Sequence, residues 1–357
     1  MTQGPLVSPT SSASRQTPFL LGLLVALLSA ATFGSSGTFG SALMVQGWSP
    51  GAVVTLRIVG AALLLAGPTA VAMRGRWHLF RSNLVPVITY GFVAVAACQF
   101  AYFMAVDHLS VGVALLLEYL APVLIVGWMW ARHGRRPNRL TSAGVGAAIV
   151  GLVLVLDVIS GAEVDLVGVL WGVLAAVGLV VFFLVAAHEG EHPLPPIALA
   201  GGGLAVGAAS LVGAAAVGLL PWATNTADIT LAGWALPWWV AVLELALVAG
   251  AIAYASGIAA TRILGSTVAS FVGLSEVLIA IGFAWVLVGE ALGIGQVLGG
   301  VAILAGVVMV KLGDAAGVTR SLPADDVDTA AQVALPVGDG DVPDGVGTGL
   351  ADPVRVH

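Results

Sequence analysis

Residues 112–123 read Gly-Val-Ala-Leu-Leu-Leu-Glu-Tyr-Leu-Ala-Pro-Val, so one carboxylate, Glu118, stands inside an apolar run that extends over roughly 110–131. The rest of the chain says what surrounds that run. Its 357 residues are 59% hydrophobic and 9% charged, with a mean hydropathy of +1.04. An ordinary soluble domain carries about 25% charged residues. Too few charges remain to build a water-facing shell. A soluble globular fold, a nucleic-acid binder with a basic face and, except locally, a disordered chain are excluded. The single cysteine, Cys98, excludes a disulfide framework within the chain. In a bilayer, an ionisable group at mid-depth costs about 2.5–3.5 kcal/mol on insertion scales, so Glu118 demands a reason.

Outward from Glu118, ten stretches hold the roughly 20 apolar residues that a membrane helix needs. They lie near 19–43, 50–72, 84–106, 110–131, 141–158, 165–187, 195–220, 236–259, 265–288 and 293–312. They are apolar all round and do not alternate, which marks helices and not barrel strands. The spacing predicts an all-α integral membrane protein with ten transmembrane helices. Residues 1–18 are Ser/Thr/Pro-rich with only Arg15, so they read as a disordered arm, and the first span as a retained helix, not a cleaved signal.

Basic residues set the orientation. Arg74, Arg76 and Arg81 lie between spans two and three, Arg132, Arg135, Arg136 and Arg139 between four and five, and Arg262 between eight and nine. Arg15 precedes the first span, and Lys311, Arg320 and Arg355 lie at or after the end of the last. The loops after spans one, three, five, seven and nine hold no Lys or Arg, and the loop after span five is acidic, with Asp157, Glu163 and Asp165. Both termini are therefore expected in the cytoplasm, and the span count is even.

A shift of 155 residues superposes Val113, Ala114, Gly127, Trp130, Gly134, Gly144, Ala147 and Gly151 on Val268, Ala269, Gly282, Trp285, Gly289, Gly299, Ala302 and Gly306. A shift of 146 superposes Leu20, Gly22 and Leu24 on Leu166, Gly168 and Leu170. The chain divides into a first unit, 19–158, and a second, 165–312, of five spans each. Five is odd, so the second unit enters from the opposite side. Inverted repeats of this kind are a design of secondary transporters, with a substrate site near mid-membrane between the halves.

The stretch around Glu118, with Gly273-Leu-Ser-Glu-Val277, Val288-Gly-Glu-Ala-Leu292, Gln296, Gly299 and Gly306, resembles the EamA family of the drug/metabolite transporter superfamily over about 19–312. The Leu-Glu-Tyr-Leu-Ala-Pro segment is similar to the threonine/homoserine exporter branch. The resemblance implies two EamA repeats and efflux of small metabolites through the plasma membrane without ATP. One departure stands out: where the family's second repeat reads Glu-Pro, Glu276 is followed by Val277, so a proline kink in span nine is missing.

Four ionisable residues fall inside spans: Arg57, Glu118, Glu244 and Glu276. The glutamates suit a substrate ammonium group or a coupling proton, and Arg57 suits a carboxylate. Arg57 equally suits a structural pair with a glutamate, or snorkelling to the outer interface seven residues past Pro50. Gln99, Tyr102, Tyr119, Tyr254, Ser256 and Ser275 could add hydrogen bonds to such a cavity, or each could satisfy a nearby backbone carbonyl. Pro122 bends its helix four residues after Glu118, and Gly202, within Gly201-Gly202-Gly203, is the second candidate hinge. Glu290 suits a helix cap. Trp48, Trp238 and Trp239 suit an interfacial belt.

His188-Glu-Gly-Glu-His192 matches the H-E-x-x-H zinc-protease pattern, but Gly190, Pro193 and Pro195-Pro196 are poor company for the helix that chemistry requires. No P-loop is present and no ring of pore-lining charges. The expectation is therefore a non-enzymatic secondary exporter of small amino-acid-like molecules, working in the lipid bilayer without cofactor, metal or nucleic acid. Coupling to protons is compatible with its buried carboxylates, and multidrug efflux is the alternative within transport. The net charge of −6 belongs to the tail: residues 313–357 hold eight aspartates against Arg320 and Arg355. That tail, rich in Gly, Asp, Pro and Val, is expected to be disordered.

Overall fold

The computed structural model of the protein describes residues 13–124, 126, 138–156, 165–187 and 193–321. Outside them fall the arm 1–12, Gly127, Trp130 and Gly134 of the repeat, Arg132, Arg135 and Arg136, Asp157 and Glu163, the His188–His192 motif and the tail from 322. Contacts divide the chain into residues 1–314 and 315–357; in the second unit the described residues 315–321 are helical. Among the described residues, the segments long and apolar enough to cross a membrane lie in the first unit.

Among the described residues, eight helices meet that requirement. They are α1 (Ala13–Val45), α2 (Pro50–Ala72), α3 (Leu84–His108), α6 (Leu166–Ala187), α7 (Pro196–Ala216), α8 (Trp238–Gly265), α9 (Val268–Val288) and α10 (Ile294–Ser321). Two shorter apolar helices, α4 (Val111–Leu124) and α5 (Arg139–Val155), occupy the fourth and fifth predicted positions. Helix is the economical solution for such segments, because a lipid-exposed backbone must satisfy its own polar groups. Short polar residues start several of them: Ser49 caps α2 ahead of Pro50, Ser110 caps α4 and Asn138 caps α5.

An all-helical reading misses one element. Between α7 and α8, Ile229–Leu231 (β1) pairs antiparallel with Trp234–Leu236 (β2). The turn is Ala232-Gly233, both at positive φ (50° and 80°), as a two-residue hairpin with matching twist requires. This hairpin belongs to a polar-flanked loop that straps residues 46–49 down. The Ser49 amide donates to Ala223 O at 3.0 Å, and the Trp48 indole donates to Asn225 O at 2.7 Å. Trp48 is therefore buried, whereas Trp239 is exposed.

Loop contacts sort into two sets. Those following odd-numbered helices meet one another: 46–49 with 221–225, His108 with Asp165, and Glu290 with the amide of Val111 at 3.1 Å. Glu290 thus caps the start of α4 from a distant loop. Those following even-numbered helices also meet: Asn138 donates to Gly313 O at 2.6 Å, and Arg262 donates to Leu194 O.

The repeat register reappears in irregular backbone. Tyr90–Ala97 in α3 and Leu247–Ile252 in α8 are π-helical, and 92–97 maps onto 247–252 at a shift of 155. α4 breaks at Tyr119–Leu120 and α9 at Leu274, where amides bond three residues back instead of four: Leu120 to Leu117 O at 3.1 Å, Leu274 to Phe271 O at 3.1 Å. The break in α9 is therefore present without the proline. The Ser275 hydroxyl helps by taking Val272 O at 2.6 Å. Between α8 and α9 no loop is needed: Gly265, at φ 77° and ψ 159°, turns the chain in one residue that a side chain would strain.

Candidate transport site

A cavity opens among α1, α2, α3, α4, α6, α8 and α9. Its volume is about 60 Å³. That is room for several waters or a small ligand. Of the residues singled out in the sequence, Arg57, Gln99, Tyr102, Glu118, Tyr119, Tyr254 and Glu276 all line it.

Arg57 is fully buried, with 0% of its surface exposed, so it does not snorkel. Its Nη1 donates to Gln99 Oε1 at 2.5 Å and its Nη2 to Ala249 O at 2.7 Å. The π-helical turn explains the second bond. The amides that close the turn bond to Val248 O and Gly250 O and pass over Ala249, whose carbonyl the guanidinium takes. Arg57 Nε has no partner, and among the described residues no carboxylate lies within ion-pairing distance of the guanidinium. The structural Arg–Glu pair that the sequence left open is absent. Phe103 lies beneath the guanidinium, 5.6 Å from its ring centre.

Glu118 sits at the break of α4, where Cys98 Sγ approaches its Oε1 at 3.5 Å. Across the cavity, the Tyr119 hydroxyl lies 2.9 Å from Glu276 Oε2 and 2.9 Å from Gly273 O, joining α4 to α9. Aromatic side chains line the cavity as well. Phe33 stands edge-on to Tyr254 with ring centres 4.9 Å apart, and Phe182 and Phe183 contact one another at 5.3 Å. Cys98, Phe33, Phe182 and Phe183 went unpredicted, because an apolar side chain facing a cavity has the same pattern as one facing a neighbouring helix.

Other candidates lie elsewhere. Glu244 is outside the lining, held by the Ser35 hydroxyl at 2.5 Å, with Oε2 unpartnered. Ser256 and Ser275 bond carbonyls of their own helices, Ile252 O and Val272 O, both at 2.6 Å. Pro122 adjoins the break of α4 without lining the cavity. Gly202 lies inside continuous α7, where a Cβ would meet Phe80 at 2.6 Å, so close packing accounts for it.

The model of the EamA-like transporter family matches residues 20–157 and again 166–312. The chain belongs to the EamA-like transporter family. This EamA-like protein is thus a multi-pass membrane protein of a transporter family, and no enzyme family is indicated. It is 24% identical over 141 residues to the uncharacterized inner membrane transporter YicL of Salmonella typhimurium (strain LT2), a match that spans 38% of this chain and 46% of that relative. A solved crystal structure superposes with a TM-score of 0.53 at 20% identity, covering 83% of this chain and 97% of the other. At that identity the likeness concerns the fold alone.

Proposed function

We propose that this EamA-like protein is a ten-helix secondary exporter of small amphipathic amino-acid-like metabolites, built as two inverted five-helix repeats, 19–158 and 165–312. It would work from the plasma membrane by alternating access, coupled to protons. The observation that carries the reading is the cavity itself: a buried, unpaired guanidinium on one side, Glu118 and Glu276 on another. A zwitterion would place its carboxylate at Arg57 and its ammonium group at the glutamates, with Gln99, Tyr102, Tyr119 and Tyr254 as polar contacts. Glu244 and Ser275 would then act outside the first contact layer, and Pro122 and Gly202 as points of bending or sliding.

The repeat arrangement has its own support. Gln99 and Tyr254, Tyr102 and Gly257, and Glu118 and Gly273 are each 155 apart, and all six line the cavity. Phe33 and Leu179, and Ser36 and Phe182, do the same at a shift of 146. The two sets of loop contacts fit alternating spans, and the arginines support a cytoplasmic side for the even-numbered set and both termini.

The aromatic lining supports an apolar or aromatic side chain on the substrate over the hydroxyl-bearing side chain of threonine or homoserine. It also supports the second reading, multidrug efflux. Counterflow in proteoliposomes separates them. The panel is threonine, homoserine, aromatic and branched amino acids and a lipophilic cation, with and without a pH gradient. Exchange of amino acids supports the first reading, and exchange of the cation alone supports the second. Exchange of none removes both.

A further inference from the structure

The hydroxyl of Tyr119 has one proton and two acceptors. Gly273 O and Glu276 Oε2 each lie 2.9 Å from it, at hydrogen-bond distance. If Glu276 is ionised, one of those contacts sets two oxygens against each other with no proton between them. A protonated Glu276 removes the conflict: its carboxyl donates to Tyr119, and Tyr119 donates to Gly273. The Gly273 carbonyl is available because of the break in α9. Val277, four residues on, donates to Leu274 O at 3.3 Å instead.

We propose that Glu276 is a proton-binding site read out by Tyr119, which holds the broken turn of α9 at Gly273 only while the proton is present. When Glu276 gives its proton to cavity water, the Tyr119 hydroxyl turns its own proton to the carboxylate and releases the Gly273 carbonyl. One proton leaves, one moves, and no bond is left unbalanced. Tyr119 is here a positioning residue, the link between a charge and a helix break. The charged groups on the same cavity are Glu118 and Arg57, and the neutral titratable ones are Cys98, Tyr102 and Tyr254; α1 and α6 contribute none. α1 packs closely behind the site, since a Cβ on Gly34 would lie 3.1 Å from Glu276 O. Release at Gly273 therefore acts at the contact between α9 and α1.

The proposal rests on the proton-coupled reading above, but its test needs no substrate. Infrared difference spectra between acid and alkaline pH are recorded on the full chain in lipid, with and without carbonyl-¹³C glycine. The wild type is expected to lose a protonated-carboxyl band and, with the same midpoint, to shift a glycine-sensitive amide band. E276Q loses the carboxyl component that shares the glycine midpoint, and the glycine change with it, because its amide still donates to Tyr119 at every pH. Y119F keeps the carboxyl change at a moved frequency and loses the glycine change. A carboxyl component with the glycine midpoint that survives in E276Q, or a glycine change that survives in Y119F, overturns the proposal. Should Y119F not fold, replacing all four tyrosines with 3-fluorotyrosine, a stronger donor, must move the shared midpoint in the wild type; an unmoved midpoint overturns it equally. Intact spectra with failed counterflow would remove the transport reading alone.

Discussion

Gly144 in α5 and Gly306 in α10 lie backbone to backbone: a Cβ on Gly144 would stand 2.6 Å from Gly306 O, and one on Gly306 2.5 Å from Gly144 O. Gly151 and Gly299 repeat the relationship at 2.6 Å in both directions. The partner falls by seven as the first residue rises by seven, so the two helices cross antiparallel. The 155-residue shift exchanges one glycine pair for the other. Small residues allow such close approach in membranes, where packing replaces the hydrophobic effect.

Substitution at this crossing must part the helices. Gly144→Val and Gly299→Val are each expected to cost about 1–3 kcal/mol, the usual range for overpacking. Gly146→Ala, on the same helix with nothing within 4 Å of the added methyl, is expected to be neutral or slightly stabilising. Thermal unfolding of the purified protein distinguishes them, and equal effects at 144 and 146 would remove the close-packing account.

Arg57 and Gln99 make the second prediction. Gln99→Leu takes an acceptor from a fully buried guanidinium and is expected to destabilise by about 1–3 kcal/mol. Arg57→Met removes the charge along with its need for partners. The expected thermal midpoint is no lower than that of the wild type, while affinity for carboxylate-bearing substrates falls at least tenfold. Unfolding curves and substrate-induced thermal shifts read the two effects separately. An Arg57→Met protein that still binds such substrates tightly would show that the guanidinium is only structural.

The apolar helices were legible because membrane insertion writes strong signals in apolar length. The ionisable residues of the cavity were legible for the same reason, since Arg57, Glu118 and Glu276 are costly in lipid unless something uses them. What stayed hidden depends on backbone detail or on which way a residue faces. The π-helical turns carry no composition signal, yet one of them offers Ala249 O to Arg57. Glu244 satisfies the same sequence rule as Glu118, but only Glu118 lines the cavity, and span boundaries alone do not fix which face of a helix a residue takes. The hairpin at 229–236 was obscured by tryptophan and leucine that looked like the approach to the next span.

Asp165 supplies a prediction in pH. Its Oδ1 accepts from the amides of Gly168 and Val167 at the start of α6, and its Oδ2 lies 2.8 Å from His108 Nδ1. The Gly168 amide first, then the His108 bond, hold its carboxyl below the ordinary value of about 3.8. A carboxyl depressed by folding stabilises the protein above its unfolded value, and that contribution is lost as pH falls through the folded value. Asp165→Ala is therefore expected to lower the thermal midpoint at pH 7, with the difference shrinking as pH drops below 3.8. Asp165→Asn, which can still cap a helix, keeps more of the midpoint but loses this pH dependence.

Cys98 turns the chain's own chemistry into a probe of the cavity. It is the single cysteine in 357 residues, 2% exposed, and lines the cavity between Glu118 Oε1 at 3.5 Å and Ala175 O at 3.4 Å. No engineered thiol is needed, because any maleimide adduct on the native chain reports entry to this one place. Labelling by a small permeant maleimide is expected to be slow in the folded protein and rapid after unfolding. A transported amino acid should slow it further, in a dose-dependent way, because a molecule held between Arg57 and the glutamates occupies the path to the sulfur. A labelling rate indifferent to every substrate exchanged in counterflow would place the transport route elsewhere in the molecule.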